Sequence, residues 1–182
     1  MASPPAPSTS HLVLIPSYNA GPLGVQTVQE ARRFWNPIWV VMDGSNDGST
    51  ESIQALAQAD PGIRVIVLEQ NGGKGRALKF GMEMARTEGF THALTMDSDG
   101  QHPAEQIPDF MAASIRHPSH LILGYPKFDE TAPTIRVKGR RISNFWANIE
   151  TLWRGINDSL FGFRVYPIQS LLDIMPQRFF MQ

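Results

Sequence analysis

Short hydrophobic runs, four to six residues long, recur along the chain from His11 onward. Each run is rich in Val, Ile or Leu, and most are followed by Pro, Asp, Asn or Gly. Runs of this length without polar alternation are typical of strands buried on both faces of a parallel sheet. The pattern therefore predicts five strands, at Leu12–Ile15, Ile38–Met42, Ile63–Leu68, His92–Met96 and His120–Leu123.

Between these runs the hydrophobic spacing changes to that of a helix. Apolar or small residues recur three and four positions apart and so share a helical face; these are Ile53, Leu56 and Ala57, then Leu78, Gly81, Met82 and Ala85, then Ile107, Phe110, Met111 and Ser114. Ser49 or Thr50 is predicted to cap the first of these helices. The alternation of strands and helices predicts an α/β fold with three layers, α/β/α, in which the middle layer is a mainly parallel, doubly wound sheet.

Polar, glycine-rich segments follow four of the predicted strands. They cover residues 16–19, 43–49, 71–75 and 97–100. In doubly wound sheets, ligands bind outside the carboxyl ends of the strands. We therefore expect the four segments to form one site at a single edge of the sheet.

Composition and charge narrow the class of protein. The 182 residues are 42% hydrophobic and 18% charged, which is typical of a globular domain. A formal net charge of −1 gives no overall attraction for nucleic acid, and the absence of cysteine excludes disulfides and thiolate metal sites. Residues 1–10, rich in Pro, Ser and Ala, are predicted to be a flexible leader to one domain over residues 11–182.

No sequence signal indicates passage through a membrane. The leader lacks the features of a signal peptide, and no apolar run approaches the roughly 20 residues needed to span a bilayer. We expect a cytoplasmic protein, with any membrane contact peripheral and at the inner face.

Asp97 and Asp99 flank one residue directly after a predicted strand. Two carboxylates there can hold Mg²⁺ or Mn²⁺, with water and substrate phosphate oxygens as further ligands, and Gln101 can add a neutral oxygen. An acidic turn without a metal explains this segment equally well when it is taken alone. A calcium loop of the EF-hand type is excluded, because Pro108 stands where the twelfth-position Glu is required.

Three further groups of residues have both a functional and a structural interpretation. Asp43 can accept hydrogen bonds from a nucleotide, or it can belong to a tight turn. The glycines around Lys74 allow a phosphate to approach the start of a helix, but the full Walker and Rossmann spacings are missing. A basic cluster can bind phosphate or form a solvated face; it comprises Arg136, Lys138, Arg140 and Arg141.

Taken together, these segments resemble the inverting family-two glycosyltransferases with the GT-A fold, above all the branch of dolichyl- and polyprenyl-phosphate sugar transferases. The matching segments run in family order over residues 11–167: "VLIPSYNA", "VVMDGSNDGST", "NGGKGRALKFGMEMA", "ALTMDSDGQHP" and "DSLFGFRVYP". Two positions depart from the family pattern, since Met42 replaces the first acid of Asp-Asp-Gly-Ser and Ala20 replaces the Glu after Tyr-Asn.

The resemblance implies a role for each matching residue. The catalytic residues would be Asp97, Asp99 and Arg164, and the metal ligands Asp97, Asp99 and Gln101. The nucleotide sugar would contact Pro16, Tyr18, Asn19, Asp43, Gly44, Ser45, Lys74, Asp97 and Ser98. The acceptor phosphate would contact Arg140, Ser143 and Arg164.

The expected activity is metal-dependent, inverting transfer of a sugar from a nucleotide-diphosphate sugar to an acceptor, such as a polyprenyl phosphate or another lipid or glycan. Because family domains continue beyond the position of Gln182, we expect this domain to be incomplete at its C-terminal end. Two alternatives remain. One is a domain that binds sugar nucleotides without turnover; the other, less favoured, is a sugar-phosphate nucleotidyltransferase, whose basic glycine-rich loop after the first strand is missing.

Overall fold

The computed structural model describes residues 5–124 and 162–175. The chain divides into two compact units, one formed by Met1–Ile122 with Phe163–Gln182 and the other by Leu123–Gly162. Of the second unit, the structure describes only residues 123, 124 and 162. The predicted leader over residues 1–10 and the predicted single domain over residues 11–182 stay predictions.

The first part of the chain alternates between strands and helices. In chain order the elements are β1 (His11–Ser17), α1 (Gly21–Phe34), β2 (Ile38–Asp43), α2 (Ser49–Ala59), β3 (Ile63–Leu68), α3 (Lys74–Thr87), β4 (His92–Thr95), a 3₁₀ turn (Ala104–Gln106), α4 (Ile107–Arg116), β5 (Ile122–Leu123), β6 (Arg164–Pro167) and α5 (Ile168–Ile174).

The strands form one six-stranded sheet in the order β3-β2-β1-β4-β6-β5. Strand β1 pairs in parallel with β2 on one side and β4 on the other, and β2 pairs in parallel with β3. Strand β6 pairs with β4 in the antiparallel direction. The order reverses between β1 and β4, which is the place where doubly wound sheets open a crevice at the carboxyl ends of their strands.

Helices cover both faces of the sheet. Since successive strand residues point to opposite faces, Leu12 and Leu14 of β1 pack on the face that α3 and α5 cover. Helices α1, α2 and α4 contact the sheet on the other side, and α1 contacts both α2 and α4. Every residue of β1 and β2 is buried. The predicted fold class is confirmed: the fold has three layers, α/β/α, and its middle layer is a mainly parallel sheet.

The strands and helical faces predicted from the hydrophobic spacing are present in the structure, and the differences lie at the ends of the elements. The last predicted strand, residues 120–123, is shortened to Ile122–Leu123. The predicted cap of α2 is wrong: Gly48 occupies the cap position, and the Asp47 carboxylate, not Ser49 or Thr50, accepts the free backbone N–H of Ser49. Helix α1, strand β6 and helix α5 were not predicted.

Part of the predicted leader is attached to the loop before β2. Ser8 donates its backbone N–H to the carbonyl of Asn36 at 2.8 Å, and the Asn36 side chain donates to the carbonyl of Pro5 at 3.2 Å. Within residues 5–124 and 162–175, no helix has the length and apolar character needed to cross a membrane.

At the amino-terminal ends of β1 and β4, two buried histidines are stacked. The rings of His11 and His92 are 4.4 Å apart and nearly parallel, as their pairing in the strand register requires. His11 also lies 3.1 Å from the Ser114 hydroxyl. Burial first, and then the charge of His92, lowers the pKa of His11 from 6.5 to about 4.

This lowered pKa predicts a loss of stability in acid. The unfolded chain binds a proton at His11 near pH 6.5 and the folded chain only near pH 4, so folding is disfavoured progressively as the pH falls through that window. The contribution is at most about 3 kcal/mol. Urea unfolding of the wild type between pH 7 and pH 4 should show this decline, and His11→Gln should flatten it.

The same substitution at the exposed His120 serves as the control and should keep the wild-type slope. If His11→Gln and the wild type lose stability equally between pH 6.5 and pH 4, the buried histidine pair is not the cause.

Candidate active site

A cleft of about 290 Å³ opens at the carboxyl ends of β1, β2, β3 and β4. All four loops predicted to meet there contribute to it. Its lining residues are Pro16, Ser17, Tyr18, Asp43, Asn71, Gly73, Lys74, Ala77, Asp97, Ser98 and Asp99. The parallel register explains the convergence, since Ser17 lies beside Met42 and Asp43 beside Leu68, so the loops leave the sheet at one edge.

The Asp97 carboxylate contacts a basic side chain with each of its two oxygens. Its Oδ1 accepts a hydrogen bond from the Lys74 ammonium, and its Oδ2 lies 3.4 Å from Nε2 of His102. Burial by itself would raise the pKa of Asp97, but the hydrogen bonds and charges of His102 and Lys74 outweigh burial and lower it to about 2. The carboxylate is therefore ionised at physiological pH.

His102 is not among the site residues predicted from the sequence, yet it contacts Asp97. The turn at Gly100, with a φ of 72°, brings the chain back so that the His102 side chain lies buried against Asp97. Its ring packs against Phe163 at 5.5 Å between centroids, and Phe163 packs edge-on against Phe110. His102 lies within the matching segment "ALTMDSDGQHP", but hydrophobic spacing alone does not predict its contact with Asp97.

Asp99 lines the cleft beside Asp97, but one of its oxygens also has an internal partner. Asp99 Oδ1 accepts the backbone N–H of Gln101 at 3.0 Å, and Gln101 is exposed and outside the described lining of the cleft. In the described part of the chain, no group of three or more His, Cys, Asp or Glu side chains is gathered as in a protein-only metal site. The two carboxylates of Asp97 and Asp99 suit an ion that takes its other oxygen ligands from substrate and water, as Mg²⁺ does.

Asp43, at the end of β2, joins the loop after β2 to the loop after β3. It is 2% exposed, and its two carboxylate oxygens lie 3.1 Å and 3.2 Å from the backbone N of Gly72. The carboxylate thus fixes the position of the loop that carries Lys74, while it also lines the cleft. The two interpretations of Asp43, turn residue and ligand contact, are compatible in this geometry.

The loops after β1 and β2 are joined by side-chain hydrogen bonds. Asn19 accepts a backbone N–H from Asn46 at 2.9 Å, and its own backbone N–H bonds to Ser45 Oγ at 3.0 Å. Asp47 accepts the backbone N–H of Gly21 at 2.9 Å as well as that of Ser49, and hydrogen bonds, chiefly from the Ser49 side chain, lower its pKa. Of the predicted nucleotide contacts, Asn19, Gly44 and Ser45 are not among the residues that line the cleft.

The predicted acceptor residues are only partly covered by the described chain. Arg164 begins β6 and pairs with Thr95, two residues before Asp97, so it lies at the same edge of the sheet. Its guanidinium contacts the hydroxyl of Tyr166 at 3.3 Å. Arg140 and Ser143, with the rest of the basic cluster, lie outside the described residues.

The fold and the cleft define an α/β protein with a binding site at the carboxyl ends of its parallel strands, and comparison with known proteins identifies the family. The sequence model of glycosyl transferase family 2 matches residues 12–170. Since the match extends over most of the chain, this chain belongs to that family, as the sequence motifs indicated.

Individual relatives and solved structures are similar to this chain, in agreement with the family match. Polyprenol monophosphomannose synthase of Mycolicibacterium smegmatis is 34% identical over 111 residues, which are 59% of this chain and 42% of that protein. The structure of S. aureus TarS 1-349 superposes with a TM-score of 0.57 at 21% identity, covering 90% of this chain and 48% of that one. The chain thus spans less than half the length of these relatives.

A further structure shares the fold. Mannosyltransferase PcManGT from Pyrobaculum calidifontis, solved in complex with GDP-Man and Mn²⁺, has a TM-score of 0.50 at 19% identity, covering 67% of this chain and 38% of that one. These neighbours confirm the predicted GT-A fold.

Gly44 is the tightest point between two loops of the cleft, which predicts a large cost for substitution. It has a φ of 69°, and a Cβ there would lie 2.4 Å from the backbone N of Asn71. Gly48, in the same loop, has a φ of 82° and no atom within 4 Å of such a Cβ. Urea unfolding should show a loss of about 1–2 kcal/mol for Gly48→Ala from backbone strain alone and about 3 kcal/mol or more for Gly44→Ala.

Equal losses for the two variants would mean that the loop after β2 does not approach the loop after β3 this closely.

Proposed function

We propose that the protein transfers a sugar from a nucleotide-diphosphate sugar to an acceptor, with a divalent metal ion and with inversion at the anomeric carbon. One observation carries the proposal: Asp97, Asp99 and Lys74 line a single cleft at the edge where this family fold opens. Two carboxylates and one ammonium in one cleft are complementary to a metal–diphosphate group.

The metal in this proposal is Mg²⁺ or Mn²⁺, held by Asp97 and Asp99, with Gln101 as a further candidate ligand. The ionised state of Asp97 supports the assignment, because only a carboxylate without its proton binds a divalent ion. Mn²⁺ in the PcManGT complex supports it as well. The negative charge that grows on the leaving diphosphate would be neutralised by the bound ion.

The remaining cleft residues are proposed to bind the nucleotide sugar. Tyr18 is half exposed at the mouth of the cleft, where its ring can contact a base or ribose. Lys74 is proposed to contact the diphosphate. The other proposed contacts that line the cleft are Pro16, Asp43, Asp97 and Ser98. Asn19, Gly44 and Ser45, which lie in the same loops outside this lining, are proposed as further contacts to the nucleotide sugar.

The proposed acceptor is a polyprenyl phosphate. Its phosphate oxygen is already anionic, so it can attack the anomeric carbon without a general base; a bond to that oxygen forms while the bond to the leaving nucleoside diphosphate breaks. Arg164, Arg140 and Ser143 are proposed to hold the acceptor phosphate. The name of the M. smegmatis relative, a polyprenol monophosphomannose synthase, supports this choice. Because the proposed acceptor is a lipid, we also propose that the protein acts at the inner face of the membrane.

Removing one proposed metal ligand should nearly abolish transfer. Asp99→Asn keeps the shape of the side chain but removes its charge, and we expect release of nucleoside diphosphate to fall at least about 100-fold. The assay measures Mg²⁺- or Mn²⁺-dependent release of UDP or GDP from a panel of sugar nucleotides with polyprenyl phosphate as acceptor.

Asp109→Asn, at an exposed position in the first turn of α4, is the matched control and should retain wild-type turnover. Equal turnover by Asp99→Asn and the wild type would refute the metal role. Binding of sugar nucleotides without transfer by the wild type would instead favour a non-catalytic binding domain.

A further inference from the structure

The two oxygens of the Asp97 carboxylate lie in different surroundings. Oδ2 faces His102, whose side chain is only 5% exposed and is packed against Phe163. Oδ1 is paired with Lys74, whose side chain is 50% exposed at the start of α3. One side of the carboxylate is therefore fixed by packing, while the other is held by a flexible, solvated ammonium group.

We propose that Lys74 is an exchangeable counter-ion of Asp97: it occupies Oδ1 while the cleft is empty, and it releases that oxygen to the divalent ion and moves to the donor diphosphate when the two bind. The inference rests on the proposed function, since it takes Asp97 as a metal ligand. It adds a role for Lys74 in coupling metal binding to nucleotide binding.

The exposure of Lys74 favours this exchange, since its side chain is 50% exposed and that of Asp97 is 29% exposed. Ion pairs between solvated side chains contribute little net stability, and their loss changes an equilibrium constant by about fivefold at most. Lys74 can therefore weaken the binding of a metal ion alone by a small factor without blocking it. Asn71 and Gly73 line the same cleft as Lys74, so the released ammonium remains among the residues that would surround the diphosphate.

The exchange predicts positive coupling between the two ligands. A metal ion that binds alone must displace Lys74 and leave its ammonium without a partner. When a nucleoside diphosphate binds as well, its phosphates become that partner, so each ligand improves the affinity for the other by the same factor. His102, which holds the other oxygen, keeps the carboxylate in place during the exchange.

The test compares the wild type with Lys74→Gln and with Lys79→Gln as the matched control. Lys79 lies on the same helix and is paired with the half-exposed Glu83, so the control removes the same charge without touching Asp97. Binding of Mn²⁺ alone is measured by electron paramagnetic resonance, and binding of UDP and of GDP is measured by calorimetry with and without Mn²⁺. Thermal unfolding checks that each variant is folded.

We expect Lys74→Gln to bind Mn²⁺ alone about two- to fivefold more tightly than the wild type, and to bind the preferred nucleotide in the presence of Mn²⁺ at least about fivefold more weakly. With the affinity for the nucleotide alone unchanged, the coupling factor between the two should fall by the same factor of about five or more, while Lys79→Gln retains wild-type values. A conservative Lys74→Arg variant should restore most of the coupling.

Weaker or unchanged Mn²⁺ binding by folded Lys74→Gln would overturn the exchange and leave the proposed metal site intact. If Mn²⁺ binds to none of the proteins, with or without nucleotide, the proposed metal role falls and the exchange falls with it.

Discussion

The parallel pairing of β1 with β2 and β4 is the constraint on which the rest of this structure depends. Because β1 is central and buried along its whole length, its hydrogen bonds fix the relative positions of both neighbours. Parallel pairing leaves the carboxyl ends of these strands at one edge, and β3 joins them through β2. The loops that carry Tyr18, Asp43, Lys74 and Asp97 are therefore adjacent before any ligand is considered.

The polar side chains at this edge also hold the loops together. Asp43 fixes the loop after β3 through Gly72, and Asn19 and Asp47 join the loops after β1 and β2. Such bonds make the cleft largely preformed, which reduces the ordering cost of binding. They also explain how a residue such as Asn19 can belong to a motif and join two loops without lining the cleft.

Much of this arrangement was predictable from local sequence. Strands β1, β2 and β4 are buried along their length, and β3 is mostly hydrophobic although it is partly exposed at the sheet edge. All four were therefore predicted to within about two residues, and the loops after them form the cleft. Helix α1 was missed because its buried face uses small or polar residues such as Gly24, Thr27 and Ala31, which give a weak hydrophobic period. Strand β6 is four residues long and pairs with a strand some seventy residues away, and His102 reaches Asp97 through a turn at Gly100. The pairing of β6 depends on tertiary structure, and the contact of His102 depends on the backbone conformation of the turn at Gly100; hydrophobic spacing encodes neither.

The central claim is that Asp97 and Asp99 share a divalent ion with a nucleoside diphosphate in this cleft. Crystals grown with Mn²⁺ and UDP or GDP test it most directly through the anomalous scattering of manganese. We expect one strong anomalous peak within about 2.3 Å of a carboxylate oxygen of each aspartate and of a diphosphate oxygen, with Lys74 turned away from Asp97. A nucleotide bound in the cleft with no such peak, or with manganese elsewhere and Asp97 still paired with Lys74, would show that the two aspartates do not hold the ion.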